Sequence, residues 1–100
     1  MEFEWSETKR QEVIERRKVD ILYAAFIFEG PVFVSKDGRK EYGEDRWIAV
    51  GLVENECFVV VYTIRDGTIR LITAWKGGRH ERRRYQERLA RQPAGDAWAG

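Results

Sequence analysis

Cys57-Phe58-Val59-Val60-Val61-Tyr62-Thr63-Ile64-Arg65-Asp66-Gly67-Thr68-Ile69-Arg70-Leu71-Ile72-Thr73-Ala74-Trp75 is the stretch on which the fold turns. Its first nine residues are β-branched, aromatic or apolar almost without a break, as expected of a central strand buried on both faces. Asp66-Gly67 is a dipeptide suited to a two-residue hairpin turn whose central residues both need positive φ. Thr68 to Trp75 is then the return strand, antiparallel to the first.

A two-residue turn fixes register, so the pairing follows from the sequence. Arg65 is expected opposite Thr68, Thr63 opposite Arg70, Val61 opposite Ile72, Val59 opposite Ala74 and Cys57 opposite Lys76. These ten residues share one face of the sheet. The other face pairs Ile64 with Ile69, Tyr62 with Leu71, Val60 with Thr73 and Phe58 with Trp75, and its apolar content suits packed helices. Arg65 and Arg70 fall diagonally adjacent near the turn. Like charges this close repel unless an anion, a carboxylate or water lies between them. Three arrangements satisfy the pattern: solvated arginines near the hairpin tip, pairing with Glu41, Glu44 or Asp45, or a clamp whose guanidinium forks take phosphate oxygens.

Outward from the hairpin, Arg46 to Val53 reads as a strand, followed by a polar turn through Glu54, Asn55 and Glu56. Val32-Phe33-Val34 is a shorter strand, with a turn at Asp37-Gly38. Ser6 and the acidic turn after it open a helix to about Lys18, thin in apolar residues. Asp20 caps a second, apolar helix, Ile21 to Phe28, which Glu29-Gly30-Pro31 ends. Gly77-Gly78 breaks the last strand before a basic helix from Arg79 to about Arg91. Residues 92–100 read as a flexible tail. The predicted fold is α+β: two N-terminal helices, a four-stranded antiparallel sheet and a C-terminal helix, in one domain over residues 1–91.

With 100 residues, 43% hydrophobic and 35% charged, the chain suits one domain with a modest core. The single cysteine, Cys57, excludes a disulfide framework and points to a reducing compartment. The N-terminal residues lack the pattern of a signal peptide, and no apolar run is long enough to span a membrane, so a cytoplasmic protein is expected. The net charge of +1 is unevenly spread, with seven Lys or Arg against two Glu between Lys76 and Arg91. Such a segment either solvates the outer face of a helix or presents a patch to a polyanion. One Cys and one His offer no metal-ligand cluster and no Ser-His-Asp arrangement, and no glycine-rich phosphate loop is present, so no cofactor is expected.

Several segments in order resemble the BrnT toxin family: Phe3-Glu4-Trp5 with Lys9, Val19 before an apolar helix ending in Phe28-Glu29-Gly30-Pro31, and Tyr42-Gly43-Glu44-Asp45-Arg46-Trp47-Ile48-Ala49-Val50-Gly51. The resemblance continues through Val59 to Arg65, Ile69 to Ala74, and Glu81-Arg82-Arg83-Arg84-Tyr85. It implies a RelE-like fold and an endoribonuclease that blocks translation. It also implies a BrnA-like antitoxin partner that neutralises the toxin and links it to operator DNA. Arg65 and Arg70 match arginines of the family pattern, Glu44 and Arg46 its Gly-Glu-x-Arg segment, and Glu81 and Tyr85 its last helix. The sequence departs from that pattern at Val13, Arg16, Arg17 and Lys18, where the family usually has Asn and then Lys-His-Gly. It departs again at Trp75, where an arginine is usual.

RNA cleavage without a metal needs the 2′-hydroxyl deprotonated, the leaving 5′ oxygen protonated and the phosphorane charge stabilised. On this reading Arg65 and Arg70 stabilise charge, supported by Lys76 and Arg46. Glu44 is the general base, and Tyr85 or His80 the acid. Arg79, Arg82, Arg83 and Arg84, with Arg46, hold the RNA backbone. Trp75 and Trp47 are either base-stacking platforms or core residues, Trp75 then packing on Phe58. The departures at Arg17 and Trp75 leave an alternative: a degenerate toxin that pairs with its antitoxin and supports repression without cutting RNA. A purely structural domain with a fortuitous basic helix is the third reading.

Overall fold

In the computed structural model, which describes residues 2–91, Asp66 and Gly67 adopt φ of 50° and 79°. Both values are left-handed, as a primed hairpin turn demands. The turn joins strands over Glu56–Arg65 and Thr68–Lys76. A second left-handed pair, Glu54 at 48° and Asn55 at 69°, joins Trp47–Val53 to Glu56–Arg65. Phe33–Lys36 pairs antiparallel with Trp47–Val53 on the far edge. Phe3–Glu4 pairs parallel with Ile69 and Arg70 on the near edge. In chain order these are β1 (Phe3–Glu4), β2 (Phe33–Lys36), β3 (Trp47–Val53), β4 (Glu56–Arg65) and β5 (Thr68–Lys76), arranged β1-β5-β4-β3-β2.

The sheet is therefore five-stranded and mixed, which corrects the four-stranded antiparallel expectation. Two residues carry too little pattern to announce a strand. The expected tail at 92–100 lies outside the described residues.

Helix α1 spans Glu7–Arg17, with the Ser6 hydroxyl accepting from the Lys9 amide at 3.2 Å. Lys18, left-handed at φ 58°, ends it. Asp20 caps α2 (Ile21–Ala24), accepting from the Leu22 amide at 2.9 Å. Asp20 also takes both prongs of Arg10, at 2.8 and 2.7 Å, tying α1 to α2. Here the expected eight-residue helix is corrected: beyond Ala24 the chain tightens into a 3₁₀ turn over Ala25–Glu29. The reason is visible in the core. Ile21, Ala24 and Ile27 are all fully buried at a spacing of three, the 3₁₀ period. The following Gly30-Pro31 cannot prolong an α-helix.

These buried residues pack on one face of the sheet with Ala49, Val53, Phe58, Val60, Tyr62, Ile69, Leu71 and Ala74. Helix α3 (Arg79–Arg91) covers part of the opposite face. Its Tyr85 is 3% exposed, stands edge-on to Phe33 at 5.3 Å, and donates to the Pro31 carbonyl at 2.8 Å. Arg82 of α3 donates to the Asn55 carbonyl at 2.6 Å and its Oδ1 at 3.0 Å, binding the helix to the β3–β4 turn.

The expected hairpin register holds from Arg65–Thr68 to Tyr62–Leu71 and then shifts. A β-bulge places Ile72 as an extra residue, so Val61 pairs with Thr73, Val60 with Ala74, Val59 with Trp75 and Phe58 with Lys76. The bulge exchanges the faces of the strand beyond it. Ala74 enters the core, and Trp75 joins the face that carries Arg65 and Arg70. The reading of Trp75 as a core partner of Phe58, and of Lys76 as a neighbour of Cys57 on the arginine face, is thereby corrected.

Gly51 on β3 passes under the 3₁₀ turn, where an added Cβ would lie 2.9 Å from Ile27 Cβ and 3.1 Å from Val32 Cγ1. Gly51→Ala is expected to destabilise the fold by about 1–3 kcal/mol through overpacking. Urea unfolding checks this; an unchanged midpoint would show that the helical layer yields freely.

Candidate active site

At the turn end of the hairpin, Arg65 and Arg70 project from adjacent strands on the face away from the main core. The segment between β2 and β3 folds back to meet them. The Asp37 amide donates to the Arg46 carbonyl at 2.8 Å, closing that segment, and the Thr63 hydroxyl donates to the Asp45 carbonyl at 2.6 Å, fastening it to β4. Glu44 is thereby placed between two guanidiniums. Its Oε1 lies 3.1 Å from Arg65 Nη2, and its Oε2 lies 3.3 Å from Arg46 Nε. Arg46 also lies over the Tyr42 ring at 4.1 Å. Arg70 has Glu4 of β1 at 3.6 Å, too far for a strong hydrogen bond.

The result is a cleft of about 290 Å³ lined by Ser6, Lys9, Glu44, Arg46, Arg65 and Arg70. Four cations line it against one carboxylate, with Glu4 beside it. The acidic neighbours orient the arginines without matching their charge. Arg65 remains 52% and Arg70 30% exposed at the side chain, so neither is walled off. Hydrogen bonding from Arg65, reinforced by Arg46, holds the Glu44 carboxyl below its ordinary range against a smaller opposing effect of burial. The N-terminus of α1, at Ser6 and Lys9, adds amide dipoles that favour an anion here.

Other residues singled out from sequence lie elsewhere. Lys76 pairs with Glu56 at 2.8 Å on the opposite face. Tyr85 is an anchor of α3, its hydroxyl pushed up in pKa chiefly by burial. Arg82 is engaged by Asn55, and Arg84 lines a separate cleft with Tyr85, Arg88 and Phe33. His80, Arg79 and Arg83 are exposed on α3 and do not line the arginine cleft. Trp47 packs partly buried against the core. Among the described residues, no three His, Cys, Asp or Glu side chains converge so as to hold a metal ion.

The sequence reading gave Lys9 no role in the site and did not place Arg17 and Arg39 beside Trp75. A signal existed: Lys9, Val13 and Arg16 recur at helical spacing, and Val13 is buried. The face that Val13 anchors therefore carries the basic residues toward β5. Two of the departures from the family pattern also meet, the Arg17 guanidinium lying 5.0 Å from the Trp75 ring centroid.

The family model for BrnT, the ribonuclease toxin of type II toxin–antitoxin systems, matches residues 5–81. The chain belongs to this family. The match runs from Trp5 through α1, strands β2 to β5 and the start of α3, so it contains every residue lining the arginine cleft. No curated protein matches the chain. As a BrnT toxin it is a ribonuclease whose system includes an antitoxin partner. Among the described residues, no helix is long and apolar enough to cross a membrane.

The BrnT cleft rests on a buried support. Asp37, whose side chain is fully buried, accepts from Arg39 Nε and Nη2 at 2.8 Å each and from the Arg39 amide at 3.2 Å. These bonds, the Arg39 side chain first, pull its carboxyl down to about 2 against the opposing effect of burial. A depressed carboxyl stabilises the fold above its unfolded pKa of about 3.9, and that contribution disappears as pH falls through the folded value. Asp37→Asn is therefore expected to flatten the loss of stability on acidification from about pH 4 towards pH 2. Urea titrations across that window check it, and parallel curves for the two proteins would refute it.

Proposed function

We propose that the toxin cleaves RNA at the Arg46–Glu44–Arg65–Arg70 cleft, without a metal, and that a BrnA-like antitoxin holds it inactive in the cytoplasm. The supporting observation is the excess of cationic donors over carboxylates in an open cleft at the hairpin turn. The 2′ oxygen attacks the adjacent phosphorus, losing its proton, while the bond to the 5′ oxygen breaks and that oxygen gains a proton. Charge accumulates on the phosphorane oxygens, where Arg65 and Arg70 present planar forks. Glu44 is the carboxylate that lines the cleft and the proposed acceptor of the 2′ proton. The guanidiniums that keep it ionised also make it a weak base, so most of the acceleration is assigned to charge stabilisation. Neither Tyr85 nor His80 reaches the cleft, and the leaving oxygen is assigned a proton from solvent.

The antitoxin reading draws on the toxin–antitoxin family and on an apolar cleft elsewhere on the surface. Phe3, Trp5, Leu22, Phe26 and Phe28 line that cleft, with Phe26 53% exposed. Exposed aromatic surface of this kind suits a protein partner. Repression of an operator is assigned to the antitoxin's DNA contacts, with the toxin acting through the pair.

Expression of Arg65→Ala with Arg70→Ala is expected to relieve growth arrest, and purified double variant to cleave RNA at least about a hundredfold more slowly. Toxicity equal to the parent would refute the assignment of the cleft. Excess EDTA is expected to leave cleavage by the purified toxin unchanged; activity restored only by added divalent cation would overturn the metal-independent step.

A further inference from the structure

Trp75 lies at the opposite end of β5 from Arg70, and two guanidiniums lie over it, Arg17 of α1 at 5.0 Å and Arg39 at 5.4 Å from the ring centroid. The two cations are held differently. Arg39 is fixed by the buried Asp37 carboxylate through two side-chain bonds. Arg17 is exposed in the last turn of α1, and among the described residues no carboxylate pairs with it.

Between this indole and the arginine cleft the surface is lined by basic residues of α1. A second depression, lined by Lys9, Glu12, Val13, Arg16, Arg17 and Thr73, shares Lys9 with the arginine cleft and Arg17 with the indole. Lys9, Arg16 and Arg17 border it from α1, and β5 forms its floor. Trp75 lies five positions along the strand from Arg70, roughly 15 Å, enough for a few nucleotides of single-stranded RNA. A row of cations ending on an aromatic face matches how single strands are gripped, by backbone charge and base stacking.

We infer that Trp75, Arg17 and Arg39 form a nucleobase-stacking subsite that grips single-stranded RNA a few nucleotides from the scissile phosphate. Arg17 leaves the indole face to meet a phosphate, and a base takes its place. An exposed cation–π contact is weaker than a base–indole stack, so the exchange favours bound RNA. Arg39 remains over the ring, held by Asp37. This inference rests on the proposed reaction cleft for its direction along this surface, but the subsite binds RNA whether or not Arg65 and Arg70 do the chemistry.

The test compares a diribonucleotide with an RNA of about eight nucleotides, which can span both sites. Trp75→Leu is expected to raise KM for the longer RNA about tenfold or more while kcat and diribonucleotide cleavage stay near parental values. Trp75→Phe is expected to restore most of that loss, and Arg17→Gln, a surface change that spares folding, to lower the salt slope of binding by about 0.7. In protein carrying Arg65→Ala and Arg70→Ala, uncut RNA is expected to quench tryptophan fluorescence, and adding Trp75→Phe to remove that quench. Loss of cleavage in the double variant thus reports on the reaction cleft, and the quench on the subsite alone. Equal KM for Trp75→Leu and parent on the longer RNA would overturn the inference. So would a change confined to antitoxin affinity, which would make the indole a protein contact.

Discussion

Two adjacent residues with left-handed backbones, Asp66 and Gly67, hold β4 and β5 in the register on which the cleft depends. Because the turn admits no extra residue, Arg65 and Arg70 must emerge on one face, with the Ile64–Ile69 pair between them. A slip by a single position would send one of them towards the helical layer, where an unpaired guanidinium cannot be accommodated. Geometry near the turn is therefore set by backbone conformation, before any side chain makes a contact.

What the side chains add is a balance between holding the cations and leaving them available. Glu44 bridges Arg46 and Arg65, and Glu4 stands near Arg70, so the like charges are kept from driving one another apart. Full neutralisation would leave nothing for a phosphate. With Lys9 and the α1 terminus counted, positive charge exceeds negative and the cleft stays open to water. The same logic, executed differently, governs Arg39. There a buried carboxylate pins the guanidinium through two bonds, and the cation serves through its position over an indole.

Much of this was legible in the sequence. The Asp-Gly dipeptide gave the hairpin, Ser6 and Asp20 marked the helix starts, and the face shared by Arg65 and Arg70 followed from alternation alone. Glu44 was also visible as their partner, because carboxylates before a strand opposite two arginines are natural counter-ions. The rest depended on contacts that a linear pattern does not encode. Ile72 is as good a strand residue as its neighbours, so nothing in its chemistry marks a bulge. Phe3-Glu4 is too short to show alternation. The basic residues of α3 looked like an RNA-binding face, yet Arg82 and Tyr85 are engaged in fastening the helix. Composition showed where positive charge is concentrated, while the folding of the 37–46 segment and the packing of α1 decided which of it gathers at the cleft.

The extra residue at Ile72 gives one strand two phases. Ahead of it, odd-numbered positions of β5 point into the hydrophobic interior; behind it, even-numbered ones do. A single uninterrupted strand thereby offers polar and aromatic groups along one continuous side, from the hairpin tip to the approach of the last helix, while keeping its interior side sealed with Leu71 and Ala74. A regular strand of the same sequence would have turned the indole inwards and the methyl of Ala74 outwards. This small irregularity is thus what makes the surface long enough to address a polymer, where a perfect ladder would have ended at a pair of arginines.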